Sequence, residues 1–517
     1  MRRAHRTRGI VAVGVAALLL TACGSSGGAE NTGGNPAAPA QTEDAITVAS
    51  QTPPPSMDPV DASGASVPYF QAVYDTLIHR NPDGSHSPWL ATDWELDEAK
   101  TTLTLTLRED VTFDDGTPLD ADAVKENLDR FKEAGGAEAV RAATTESVEV
   151  IDDYTVALHF ESPDPAVIDA LSDAYGFIAN PAGFEDDEPF AVTPDGTGPY
   201  LLDEETSVTG SQWVFTQRED WWGEELPFQQ ITYLVLNDEN AIVNGLLTGQ
   251  VDAATLQGPV DRVATEDTIT LTPQEIDLKV FTLFDRSGSQ VEALGDQRVR
   301  QAINYAIDRQ ALVEAILDGR GTATSQMWSP DAPGYLPELD DHYAYDPAKA
   351  QELMADAGYT DVSFQLARLP GLVSDALAEA LRSQLAEIGI TLEWVDVDQN
   401  AFIQRTFYDQ EFPGVVMNGG QAANDWSTYV GVIGPSPTSN PQGSTDEVIQ
   451  EQAQIIRTGT EEEAAQAAQT MNERLVELAW FAPLFRMEYA HATADGVQVT
   501  PQVGLAVPAI YNYAPTS

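Results

Sequence analysis

Cysteine is nearly missing from this sequence: Cys23 is the only one in 517 residues, so the chain cannot build a disulfide framework. Six scattered histidines leave little material for a Cys/His zinc site. Basic residues are scarce as well, with 26 Lys and Arg against 82 Asp and Glu and a formal net charge of −56. A field of that sign repels nucleic acid and anionic lipid surfaces, so a polyanionic partner is not expected. The phosphate-binding G-x-x-x-x-G-K-[ST] loop, a G-x-G-x-x-G after a strand, G-x-S-x-G and H-E-x-x-H are all missing, so the chain offers none of the common cofactor, nucleophile or metalloprotease signatures. No metal and no cofactor are expected. What the chain does have is ordinary globular composition, 42% hydrophobic and 21% charged, enough for a large core and about three domains' worth of chain.

The amino terminus sets the compartment. Arg2, Arg3, Arg6 and Arg8 precede the uncharged run GIVAVGVAALLL at Gly9–Leu20. That run is too short to cross a bilayer core of about 30 Å as a helix but suits a signal-peptide core. Leu20-Thr21-Ala22-Cys23 follows and resembles a bacterial lipobox. The resemblance implies lipidation of Cys23 and cleavage before it, leaving an extracytoplasmic protein anchored to the cell membrane. Residues 24–41, GSSGGAENTGGNPAAPAQ, carry no hydrophobic periodicity and read as a flexible tether, reaching about 25 Å by random-coil scaling. No later apolar run is long enough to span a membrane.

The body alternates strands and helices. Lys100–Arg108 alternates Leu with Thr, and Tyr154–Phe160 repeats the pattern, as half-buried strands do. Ser211–Thr216, Ile231–Leu236 and Ile390–Val397 are further strands. Asp120 is an N-cap ahead of Val124, Leu128 and Phe131. Asp346-Pro347 opens a helix that Gly358 ends; Ser374 caps another that Gly389 closes; Thr460 and Glu463 form a capping box. Helix-then-strand order over residues 345–397 points to α/β units. Asn81–Ser85 looks superficially like a calcium loop but lacks the closing Glu and reads as a turn. Neighbouring acids such as Asp114 and Asp115 are expected by chance in so acidic a chain.

Seven ordered motifs together resemble one family. They are Ser56-Met57-Asp58-Pro59, Tyr74-Asp75-Thr76-Leu77, Trp89–Trp94, Leu107–Thr117 followed by Ala121–Val124, Gly196-Thr197-Gly198-Pro199-Tyr200, Arg298–Arg309, and Tyr345-Asp346-Pro347 with Ala357-Gly358-Tyr359. The match is similar to family five of the extracytoplasmic solute-binding proteins, which serve peptide- and nickel-type ABC importers. The resemblance implies an α/β, two-lobed periplasmic-binding-protein-like fold of type II, with a hinge between lobes and an extra subdomain in the first. It places a first lobe at 45–283 plus 484–517, with the subdomain at about 66–190, and a second lobe at 284–483. Chain crossings are expected near Phe281–Gly288 and Trp480–Met487. It further implies a monomeric, non-catalytic receptor that hands a peptide-like solute to the permease subunits of an importer.

Two anchor positions follow from the same resemblance. Arg368 falls where dipeptide-type members carry an Arg that clamps the ligand's carboxylate. The Asp that takes a peptide's ammonium aligns with Ala422, so that anchor is missing unless Asp425 replaces it. This departure leaves open a blocked or longer peptide, an oligosaccharide or another polar metabolite. Further ligand-contact candidates are Met57 and Asp58 from the first lobe, Gln326 and Trp328 from a loop after Gly319–Gly321, the patch Asn418, Gln421, Asn424, Asp425 and Trp426, and Arg486 after the second crossing. A secreted hydrolase using an Asp/Glu pair, and a sensory receptor with the same binding lobes, are the competing functions.

Overall fold

In a computed structural model of the chain, the structure describes residues 44–516 apart from 137, 185–189, 191–192, 259, 421, 423 and 436–437. The first strand, β1 (Ala45–Ser50), runs inside a sheet, paired along both edges, and its central residues Ile46–Ala49 are buried on both faces. Helix α1 (Val67–Val73) follows with nearly all of its side chains buried. Strands β2 (Ala91–Leu96), β3 (Thr102–Leu107), β4 (Thr145–Asp152) and β5 (Thr155–Phe160) then make a separate antiparallel sheet in the order β2-β3-β5-β4. The Leu/Thr alternation of β3 turns Leu103, Leu105 and Leu107 inward. Helix α2 (Ala121–Ala134), capped by Asp120, buries Val124, Leu128 and Phe131.

The chain returns to the first sheet through β6 (Tyr200–Leu202), β7 (Gln212–Gln217), β8 (Gln230–Val235), helix α3 (Glu239–Thr248) and β9 (Ala253–Leu256). The 15-residue strand β10 (Ile269–Leu283) then leads away. Beyond it come helices α4 (Gln297–Ala306) and α5 (Arg309–Leu317), β11 (Gly321–Ala323), helix α6 (Pro347–Ala357), and the parallel pair β12 (Val362–Arg368) and β13 (Ile390–Asp396) joined by helix α7 (Asp375–Ala386). Strand β14 (Gly414–Gly420), helices α8 (Glu447–Thr458) and α9 (Glu461–Leu478), and the 14-residue strand β15 (Phe481–Ala494) complete the return. Ser374 caps α7 as its spacing predicts, but α7 ends at Ala386. Gly389 instead adopts a left-handed φ of 81° in the turn into β13.

The large sheet has nine strands in the order β14-β10-β15-β9-β1-β8-β7-β6, with β11 beside β15. It is widest at its two ends. Strand β9 pairs with the far end of β15, from Ala253 opposite Thr493 to Leu256 opposite Ala490. Strand β14 joins β10 only from Asp277 to Leu283, and β11 joins β15 at Phe485–Met487. Between these, Gln274 and Glu275 face Tyr489 and Glu488 as a two-strand neck. The register slips between Glu275 and Asp277, a β-bulge at Ile276.

Separate cores lie on the two sides of that neck. One runs from Ile46 and Val48 through Tyr69 and Phe70 into the small sheet's Leu103, Leu105 and Leu158, and takes in Ile510 and Tyr513 of the tail. The other gathers Phe281, Leu283, Val299, Ile303, Leu366, Leu381 and Phe485. The molecule is therefore two-lobed, with the small sheet built onto the first lobe.

Candidate functional site

A cavity of about 470 Å³ opens beside the neck and is lined from both sides of it. The first lobe contributes the segment around Ala65, Val67 and Gln71, the charged trio Glu138, Arg141 and Asp173, and the tail at Gly504–Val507. The second lobe contributes Ala422, Ser427, Thr428 and Val432, and Ile276 and Asp277 of β10 lie between them. A smaller cavity of about 120 Å³ shares Ala65, Ala506 and Val507 and reaches Ala49 and Ser50 at the end of β1. A larger groove of about 880 Å³ runs along residues 216–230 at the opposite edge of the sheet, away from the neck. The interlobe cavity is the better candidate because two independently packed bodies shape it.

Its charges are arranged unevenly. Arg141 pairs with Glu138 at 2.7 Å and with Asp173 at 3.2 Å, so one guanidinium answers two carboxylates. Asp277 receives the Tyr489 hydroxyl at 2.6 Å and the Asn418 Nδ2 at 3.4 Å. Burial, with Asp277 beside it, pushes the Tyr489 hydroxyl well above its ordinary range, so it stays a donor. Lys279, on the same strand, donates to the Leu372 carbonyl at 2.8 Å and to Asn418 Oδ1. Burial pushes its ammonium down to about 8, against the pull of Asp277.

The sequence-predicted residues fall into three places. Asp425, Trp328 and Arg486 come together behind the cavity wall. Asp425 Oδ1 accepts the Trp328 Nε1–H at 2.9 Å and the Gly334 N–H at 3.0 Å, and burial pushes its carboxyl up to about 6. Arg486 is 1% exposed and is committed to Asp340 at 2.8 Å and Thr324 at 3.1 Å, with its Nη2 3.4 Å from the Trp328 carbonyl. Gln326 joins this network through Asp340 and Asn472. Asn424 caps the short helix Asp425–Thr428 by accepting from Ser427 N. Trp426 stacks on Tyr429 at 5.2 Å and carries the Arg457 guanidinium 5.4 Å over its ring. Asn418 lies beside Asp277.

Arg368, Met57 and Asp58 stand apart from this group. Arg368, at the end of β12, forks onto Asp396, with Nη2–Oδ2 at 3.0 Å, and also bonds Asp375. Met57 is fully buried, its carbonyl taking the Tyr74 hydroxyl at 2.8 Å. Asp58 is held by Arg130, with Nη1–Oδ1 at 2.8 Å. Gln421 and Cys23 lie outside the described residues. The polar side chains of the placed candidates are thus occupied by protein partners, and the cavity is faced by others. Arg141 and Asp277 went unnoticed in the sequence, although each leaves a trace there. Arg141 is the only Lys or Arg between residues 133 and 217, and Asp277 with Lys279 interrupts the otherwise apolar end of β10.

The two lobes also touch across the cavity's far side. Arg457 Nε donates to the Pro163 carbonyl at 2.9 Å and its Nη2 to Ser162 Oγ. Lys100 Nζ reaches the Gly459 carbonyl at 2.5 Å, and Asn424 Nδ2 lies 3.4 Å from the Pro165 carbonyl. Among the described residues no three His, Cys, Asp or Glu side chains are placed to hold a metal, and no helix is long and apolar enough to cross a membrane.

Two lobes on a two-strand neck, shut over a cavity that both of them line, define a hinged solute-binding architecture. The family model for bacterial extracellular solute-binding proteins, family 5, matches residues 86–440, and the chain belongs to that family. It is 26% identical over 362 residues to the nickel-binding periplasmic protein of Escherichia coli K12, a match covering 64% of this chain and 67% of that protein. It is 29% identical over 322 residues to the glutathione-binding protein GsiB of Salmonella paratyphi A, covering 59% of this chain and 60% of that protein. Among solved structures, HbpA2 from Haemophilus parasuis superposes with a TM-score of 0.79 at 21% identity, covering 92% of this chain and all of the other. NikA from Brucella suis, solved with Fe(III)-EDTA, gives 0.77 at 22%, covering 91% and 100%. The family is one of binding proteins rather than enzymes, and its members are extracytoplasmic.

Proposed function

We propose that this protein is the receptor of an ABC importer: a monomer anchored through lipidated Cys23 that captures a small peptide-like solute in the interlobe cavity and presents it to the membrane subunits. The observation that carries this reading is the cavity itself. Its volume of about 470 Å³ falls in the range of small-molecule sites, roughly 300–1,000 Å³, and its walls come from both sides of the two-strand neck. A solute that touches both walls binds the closed form better than the open one and shifts the equilibrium between them.

The lobe bounds expected from the resemblance, 45–283 with 484–517 and 284–483, move to the neck in this reading: the first lobe, carrying the subdomain at about 66–190, ends near Ile276 and resumes near Tyr489, because Phe281, Leu283 and Phe485 pack in the second core. The hinge is placed at the Ile276 bulge, where only two strands continue. Asp425, Trp328, Arg486 and Trp426 act by holding the cavity's loop wall in place. One observation favours a second choice of cargo. The guanidinium of Arg368, the expected carboxylate clamp, is already matched by Asp396 and Asp375. A polar solute that is not a simple peptide fits that arrangement equally well.

Mass spectrometry of the solute released on denaturing the purified protein identifies the cargo class. Proteoliposomes carrying the cognate permease then test delivery: stimulated uptake supports the transport reading, and binding without any stimulation refutes it in favour of sensing. Cys23→Ala tests the anchor, since the reading requires the variant to leave the membrane fraction.

A further inference from the structure

We propose that Asp277 is the cation anchor of the interlobe cavity, so that the solute carries a protonated nitrogen; this rests on the reading of that cavity as the solute site. Three carboxylates line it. Glu138 and Asp173 are both paired with Arg141, whereas Asp277 makes no ion pair among the described residues. Its two donors, the Tyr489 hydroxyl and the Asn418 amide, are neutral and both meet Oδ2. Oδ1 has no hydrogen-bond partner among the described residues.

Lys279, two residues along β10, makes no direct ion pair with it. The Lys279 ammonium is turned to the Leu372 carbonyl and Asn418 Oδ1. A partly buried carboxylate with no direct ion pair is left for an incoming ammonium to neutralise as the lobes close around it. The charge also sits at the mechanical centre of the molecule. Asp277 follows the Ile276 bulge, faces Gly420 in the β10–β14 register, and shares the cavity with Ala422 two residues further on. A cation held there is gripped at the hinge, so capture and closure are one event. The net charge of −56 draws such solutes toward the protein.

The full chain, stripped of solute by unfolding and refolding, is offered three defined probes in native mass spectrometry. These are an equimolar pool of free-amine di- and tripeptides, the same pool N-acetylated, and a pool of linear diamines. Retention of members with a protonated nitrogen, lost on acetylation and weakened at least about tenfold by Asp277→Asn, is the expected result. Because Ala422 lines the same cavity as Asp277, Asp277→Asn combined with Ala422→Asp restores binding to within about threefold of wild type. Thermal midpoints of both variants confirm folding. Equal retention of the acetylated pool, or unchanged affinity in Asp277→Asn, overturns the anchor and leaves the receptor reading intact. If no pool is retained, the solute carried by protein isolated from its own host decides: a basic nitrogen in it supports the anchor, and a solute without one overturns the anchor alone. No solute at all overturns both.

Discussion

Replacing Arg457 with Ala removes two of the hydrogen bonds that link the lobes across the cleft. Its guanidinium donates to the Pro163 carbonyl at 2.9 Å and to Ser162 Oγ, while its contact with Trp426 stays within the second lobe and does not count toward closure. Charge-assisted bonds contribute about 1.5–3 kcal/mol each when shielded from water. Arg457 is only half-buried and rehydrates when the lobes part, which reduces each bond to about 1 kcal/mol. The variant therefore shifts the closed–open equilibrium by about 2 kcal/mol, roughly 30-fold at 1.4 kcal/mol per decade. Spin labels on Glu161→Cys and Gln454→Cys, both exposed and on opposite sides of the cleft, read this as a loss of the short-distance population in pulsed dipolar spectroscopy. The thermal midpoint should barely move, since neither core is touched. An unchanged distance distribution would show that these contacts do not hold the lobes together, and a collapse of the thermal midpoint would show that Arg457 is structural.

Four further substitutions have defined outcomes. Burial holds the His491 imidazole down to about 4 from 6.5, so the unfolded chain takes up a proton that the folded chain refuses, and stability is lost as pH falls through that window. His491→Gln should retain about 2 kcal/mol that the wild type loses between pH 7.5 and 5 in urea titrations; parallel pH profiles would count against it. Asp75 and Asp425 work in the opposite direction. Their carboxyls, raised by burial to about 6 from 3.8, make the folded state gain stability as pH falls from 6 toward 3.8, and Asp425→Ala should flatten that gain. Trp328→Phe withdraws a donor from the buried Asp425 and should cost about 1–3 kcal/mol in denaturant unfolding; a loss below about 0.5 would make the bond unimportant. In Gly198→Ala the new Cβ would lie 2.4 Å from the Val73 carbonyl carbon, a backbone clash expected to cost about 1–3 kcal/mol in the same assay.

The motifs that reveal the family are mostly devices that hold each lobe's own packing in place. In Gly196–Tyr200 the glycines let the chain press against the Val73 backbone. In Tyr74–Leu77 the buried Asp75 accepts from the indoles of Trp89, Trp221 and Trp222. In Arg298–Arg309, Arg300 and Arg309 are spent on backbone carbonyls such as those of Leu478 and Pro483. Geometry of that kind needs particular residues at particular spacings, which is why fold and family are legible in the sequence. The cavity wall imposes no such pattern. Arg141, Asp277, Ser427 and Val507 lie on separate segments that meet only once the neck is formed, so no local spacing marks them. The polar residues of the loop at 418–426 suit a ligand by chemistry, but local capping and packing turn Asn424, Asp425 and Trp426 toward protein partners.

Small-angle X-ray scattering on solute-stripped and reloaded protein bears most directly on hinged capture. Stripped protein should be measurably more extended, and adding back the released solute should restore the compact profile. Superimposable profiles in the two states would mean that the lobes do not move around their cargo, and the account of capture would fail.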